Sequence, residues 1–218
     1  MNSVTHSKEK QIRNSFIYLM EMSVVVLLPL ITIPIFTRIL TPKDYGVLAL
    51  ATIYAIFMSG LANFGLIAVF ERNYSQYREN NVKKSQLLYS CLVFILVNFT
   101  LLAGVTIFFK EIISVFLTSS NQNGTLILTV FAGTFFFSTG SAIFYSYFKL
   151  EEMAKTYSKY RIVASIVYFV FSLYFVVYLN IGVIGLALAQ LITGFFLYFF
   201  LFFVFLKNIP FMLNSQIL

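Results

Sequence analysis

The amino-acid sequence predicts an all-α integral membrane fold, a bundle of six transmembrane helices with both ends on the cytoplasmic side. Three observations carry this. Of 218 residues, 60% are hydrophobic and 11% charged, against roughly 45–50% and about 25% in an ordinary soluble domain. Several long runs contain no Asp, Glu, Lys or Arg, and crossing about 30 Å of hydrocarbon takes about 20 helical residues. Lys and Arg also fall almost wholly into alternate loops, the pattern that orients membrane helices.

Residues 1–15 read as a polar cytoplasmic tail. The first span covers 16–37 and is interrupted only by Glu21. Its apolar part is too long for a signal peptide and no small-residue cleavage site comes after it, so it reads as a retained anchor. The second span, 45–70, and the third, 85–109, are uncharged. The next uncharged run, Ile112 to Phe148, is too long for one crossing. The polar cluster from Thr118 to Thr125 divides it and leaves a fourth span at 126–148. The last run, Ile162 to Leu206, holds 45 residues without a charge. As one helix it would reach roughly 68 Å. Asn180-Ile-Gly182 is turn-like, so the run reads as two spans, 162–179 and 183–206, before a cytoplasmic tail at 207–218.

Of the 15 Lys and Arg residues, 12 lie on the side of the N-terminal tail and the 71–84 and 149–161 loops, and only Arg38, Lys43 and Lys110 on the other. Cytoplasmic loops carry such an excess. The net charge of +7 is therefore a topology signal against an anionic leaflet and points to no nucleic-acid partner.

The chemistry available is narrow. His6 is the only histidine and Cys91 the only cysteine, which excludes an intrachain disulfide and argues against a zinc site. Histidine-dependent acid-base or nucleophilic catalysis at a membrane boundary has no histidine to use, and no Gly-rich lysine loop for nucleotides occurs. The expectation is a non-enzymatic protein with no cofactor and no metal.

What remains is polar chemistry inside the spans. Glu21 is the sole acid well within an apolar run, and an intramembrane carboxylate suggests a substrate or ion pathway, or else a headgroup position if the helix starts later. Thr32 lies three turns on, near the same face. Thr52, Ser59 and Asn63 share one ideal helical face, as do Thr134, Ser138, Ser141 and Tyr145. Such faces line either a wet cleft or a helix–helix contact. Gly185 and Ala189 form a small-residue pair suited to packing. Pro29 and Pro34 each remove a backbone hydrogen bond and predict a kinked first helix.

The segment Pro29-Leu-Ile-Thr-Ile-Pro34-Ile-Phe-Thr-Arg38-Ile-Leu-Thr-Pro42-Lys-Asp-Tyr45-Gly46 resembles the N-terminal signature of the polysaccharide biosynthesis proteins, the Wzx-type O-antigen flippases of the multidrug and oligosaccharide exporter superfamily. Asn63-Phe-Gly65 with Arg72, and Gly182-Val-Ile-Gly185-Leu-Ala-Leu-Ala189, are similar to the family's second and sixth helices. The resemblance implies two six-helix lobes around a central cavity, of which this chain supplies one. It therefore implies a second lobe, from a C-terminal half or a homodimer copy. It also implies a lipid-linked glycan as substrate, alternating access across a bacterial cell membrane, and neighbours such as a glycan polymerase and glycosyltransferases. Arg38 and Arg72 are the family-matched cations for a diphosphate. A cation-coupled drug exporter and a non-transporting scaffold for glycan-assembly enzymes are the rival readings.

The charge distribution makes a direct prediction. Reporter fusions after Asn81 and Ala154 should report the cytoplasm, and fusions after Thr41 and Gln122 the opposite side. An outside signal after Asn81 would overturn the helix order from the second span onward.

Overall fold

The computed structural model describes residues 2–77 and 80–210. The 211–218 part of the expected tail and Arg78 lie outside the described residues, as does the side chain of His6. Six helical segments are long and apolar enough to cross a membrane: Lys10–Phe36, Pro42–Gln76, Asn81–Phe108, Asn121–Leu150, Ala154–Tyr178 and Val183–Asn208. The described residues contain no strand. In chain order the helices are α1 (Asn2–Phe36), α2 (Pro42–Asn63), α3 (Leu66–Gln76), α4 (Asn81–Phe108), α5 (Lys110–Thr118), α6 (Gly124–Thr134), α7 (Gly140–Leu150), α8 (Ala154–Leu173) and α9 (Val183–Asn208).

α1 extends well before residue 16. Neither Gly nor Pro occurs before Pro29, and Lys8, Lys10, Gln11 and Arg13 are good helix formers, so the expected tail is the first turns of the helix. α1 also runs on through Pro29 and Pro34. It ends at Phe36, and Thr41 then caps α2. The Thr41 hydroxyl accepts from Asp44 N while the Asp44 carboxylate accepts from Thr41 N, a reciprocal capping box with Pro42 at the first helical position. The Thr41-Pro-Lys-Asp44 block is thus a helix-start device.

The second uncharged run is two helices. Phe64 and Gly65 both take left-handed backbone, at φ 48° and 77°, which ends α2 at Asn63. Asn98 Nδ2 donates to the freed Ala62 carbonyl, and Asn63 Oδ1 caps α3 by accepting from Ile67 N. The fourth span is likewise compound. α6 and α7 are joined by a π-helical turn, Phe135–Thr139, which carries one residue more per turn than an α-helix. A second π-turn, Tyr174–Tyr178, extends α8. The 180–182 hairpin comes next, with Asn180 at φ 51° and Gly182 at φ 66°.

The helices pack as an arc in which α1 lies on α8, α8 on α9, α9 on α6, α6 on α2, and α2 on α4. The α6–α7 span is the most buried. Phe99 of α4 stacks on Phe135 with ring centroids 3.8 Å apart, and Phe131 and Phe136 pack edge-on or tilted around them. α9 reaches this core because Gly194 has no side chain. A Cβ there would lie 2.5 Å from Phe137 N.

Gly194→Ala should therefore push α9 off the π-turn and lower unfolding stability in mild detergent by about 1–3 kcal/mol, the ordinary cost of overpacking. Gly46 has open space where its Cβ would be, so Gly46→Ala should raise stability by roughly 0.5–1 kcal/mol through helix propensity. Equal effects at both positions would remove the close approach as the cause.

Candidate functional site

The sequence-selected residues do not gather in one place. Arg38 is exposed in the turn after α1. Arg72 is exposed on α3, at the opposite end of the bundle. The Thr32 hydroxyl donates to Pro29 O at 3.0 Å and that of Thr52 to Leu48 O at 2.7 Å, so both are satisfied by their own helix. Asn63 is a helix cap. Ser59, from the same stripe, is buried. The stripe on the fourth span is broken by the π-turn. Ser138 is exposed while Thr134, Ser141 and Tyr145 are buried, and Ser141 Oγ donates to Phe136 O five residues back. The surplus residue rotates every later position of the helix, so α-helical spacing does not hold across 135–139.

Glu21 stands apart. Between Lys10 and Ile35 it is the one buried residue of α1. Arg161 Nε of α8 donates to Glu21 Oε1 at 3.1 Å. The Arg161 guanidinium also lies over the Tyr145 ring, 5.5 Å from its centroid. Tyr157 meets both Tyr18 and Tyr145 edge-on, each with centroids 5.3 Å apart, and Lys149 Nζ sits 5.2 Å from the Tyr157 ring centre. Three tyrosines therefore frame two cations, one of them paired with the Glu21 carboxylate, at the meeting of α1, α7 and α8. A cleft of about 590 Å³ opens here, lined by Tyr18, Glu21, Met22, Val25, Lys149, Tyr157 and Arg161. Two cations against one carboxylate leave it an excess of one positive charge. Its apolar wall belongs to α1, whose remaining surface is largely exposed.

A second polar group staples the same end of the bundle. Lys84 Nζ and the Tyr74 hydroxyl both donate to Glu151 Oε1, Lys10 pairs with Glu152, and Ser146 Oγ donates to Glu71 Oε1. These contacts tie α1, α3 and α4 to the turn after α7, and α3 to α7 itself. A cleft of about 430 Å³ opens beside them too, but its two lysines are matched by two paired glutamates, whereas the cleft beside Glu21 keeps a net positive charge.

A family model described as polysaccharide biosynthesis protein matches residues 12–217, nearly the whole of the bundle just described. The chain belongs to the polysaccharide biosynthesis protein family. No curated protein and no solved structure gives a match. Six apolar spans and this family together make it a multi-pass membrane protein of polysaccharide synthesis or export.

For this member of the polysaccharide biosynthesis family, sequence reasoning selected Glu21 and missed its surroundings. Arg161 reads as a loop residue because the uncharged run starts at Ile162, yet α8 begins at Ala154 and carries Arg161 two turns inward. The usable signal was Glu21 itself, since a carboxylate in a span requires a partner. The sequence does not single out Arg161 as that partner, because Lys84, Lys149 and Lys207 also directly adjoin apolar runs on the same side.

Glu21→Gln and Arg161→Gln should each lower unfolding stability by about 1–3 kcal/mol, below the 3–5 kcal/mol typical of a fully buried pair, because the Arg161 side chain is 34% exposed. The double variant should lose less than the sum. Strictly additive losses would show that the two charges are not coupled.

Proposed function

We propose that this chain forms one lobe of a carrier that moves a polyprenyl-diphosphate-linked oligosaccharide across the membrane, and that the cleft beside Glu21 receives the diphosphate. The observation that carries this is the joint presence of Lys149, Arg161, Tyr18 and Tyr157 in a cleft whose wall is an exposed apolar helix. Guanidinium and ammonium groups bind phosphate through short charge-assisted hydrogen bonds. The diphosphate would sit between the cations, the first sugars against the tyrosine rings, and the polyprenyl chain along the lipid-facing side of α1. A carrier also needs a second wall. We assign it to a second six-helix lobe, in the same polypeptide or a second copy, rocking against this one to expose the cleft alternately. A cation-coupled drug exporter is favoured less, since it calls for a free buried acid and Glu21 is already paired with Arg161.

Reconstituted liposomes test the proposal. Transport of a lipid-linked oligosaccharide should fall about 10- to 100-fold in Lys149→Gln and Arg161→Gln, matching the roughly 1.5–3 kcal/mol of a charged hydrogen bond. Lys155→Gln and Lys159→Gln, on exposed positions of α8, should stay near the parent rate. Unchanged transport in the first two, with protein levels intact, would remove the cleft from the pathway. No transport by any form, alongside co-purification of glycosyltransferases, would favour the scaffold.

A further inference from the structure

Between Lys84 and Lys149 the only charged residues are Lys110 and Glu111, and they open α5. From Ser85 to Phe108, α4 rises about 35 Å at about 1.5 Å per residue. That brings Phe108 to the far edge of a hydrocarbon layer about 30 Å thick. α5 therefore starts at headgroup level, at the end of the bundle opposite the Glu21–Arg161 cleft.

Its residues divide into distinct faces. Ile113 and Leu117 pack against the core. Ser114 is buried between them, with its hydroxyl donating to Ser120 O and accepting from Asn123 N, while Asn123 Nδ2 donates to Thr118 Oγ1. These contacts hold α5 against the bundle along one side. Ile112, Val115 and Phe116 point away from it, at the three- and four-residue spacing of one helical face. With Phe108 and Phe109 just ahead they form an exposed apolar patch, in which Phe108 and Phe116 are each 87% exposed. No charged residue interrupts 112–118.

We infer that α5 is an interfacial helix. It lies along the leaflet opposite the cleft and inserts its phenylalanine face among the lipid acyl chains, while Lys110 and Glu111 stay among the headgroups. The patch continues the exposed apolar side of α4 that carries Leu101 and Val105, a surface already given to lipid by its place in a span. An exposed apolar face of Phe108, Phe109, Ile112, Val115 and Phe116 beside charged residues matches the amphipathic pattern of helices that rest in a membrane interface. The consequence is a float at one end of the bundle, which sets how deep the α4–α6 corner sits.

The sequence has no tryptophan, so Phe116→Trp and Phe108→Trp each create a single fluorescent reporter. In vesicles the emission should shift to the blue, and lipids brominated near the headgroup end of the acyl chain should quench it more than lipids brominated deeper. Gln122→Trp, on the exposed polar loop, should instead be quenched by aqueous acrylamide. Acrylamide quenching of Phe116→Trp equal to that of Gln122→Trp would overturn the inference. So would a blue shift without bromolipid quenching, which would mean that protein, such as a second lobe or copy, covers the patch. Should Phe116→Trp fail to fold, the same readouts at Phe108→Trp decide.

Discussion

Hydrocarbon offers no hydrogen bonds, and that constraint orders this bundle more than any single contact does. A polar group inside a span is costly unless it finds a partner within the protein, and among the described residues only a few buried hydroxyls, such as those of Ser59 and Thr193, lack one. Hydroxyls therefore turn back on their own helices, as Ser23, Thr32, Thr52, Thr100, Thr106 and Thr129 do. The amides do the same where helices end. Asn98 takes the carbonyl left free by the break after α2, and Asn63 caps the helix that resumes there. Polar residues in the spans thus keep the backbone whole, and they need not line any passage.

Charge obeys the same constraint with more at stake, because an unpaired charge in a span is far more costly than an unpaired hydroxyl. Between Lys10 and Ile35 the one buried residue of α1 is Glu21, and the partner of its carboxylate is on α8. The N-terminal half of α1 is held by this ion pair, the Lys10–Glu152 pair and the Tyr18–Tyr157 contact rather than by an apolar seam. At the other end, Phe36 and Leu40 join a small cluster with Val176 and Leu186. An ion pair can be exchanged for another anion, whereas a packed apolar seam cannot. The proposed diphosphate site rests on this difference between the cleft and the core.

Much of the fold was legible because lipid imposes a crude rule. Runs without charge mark spans, and their number and order come from length alone. The finer features depend on things a run of apolar letters does not encode. The break at Phe64–Gly65 needs a non-glycine residue in left-handed backbone, at a place where hydropathy is continuous. Surplus residues in π-turns leave no mark on hydropathy, so the Thr134–Tyr145 stripe was drawn with the wrong period. α5 was hidden because its apolar run continues into the polar loop that ends it. At the site, Glu21 was visible as an isolated acid, but its ring of tyrosines was not. Tyr18, Tyr145 and Tyr157 are scattered among 14 tyrosines and meet only through the α1–α8 and α7–α8 packing.

The π-turn at Phe135–Thr139 can also be viewed as a change of phase. An α-helix is a screw advancing about 100° per residue, so one surplus residue offsets every later position by about that angle. α6 keeps the phase that seats it between α2 and α9, and α7 takes another. Delete the surplus residue and Ser146 would point roughly 100° away from Glu71, losing the hydrogen bond that joins α7 to α3. One continuous span thus serves two sets of neighbours that no single helical register could satisfy together.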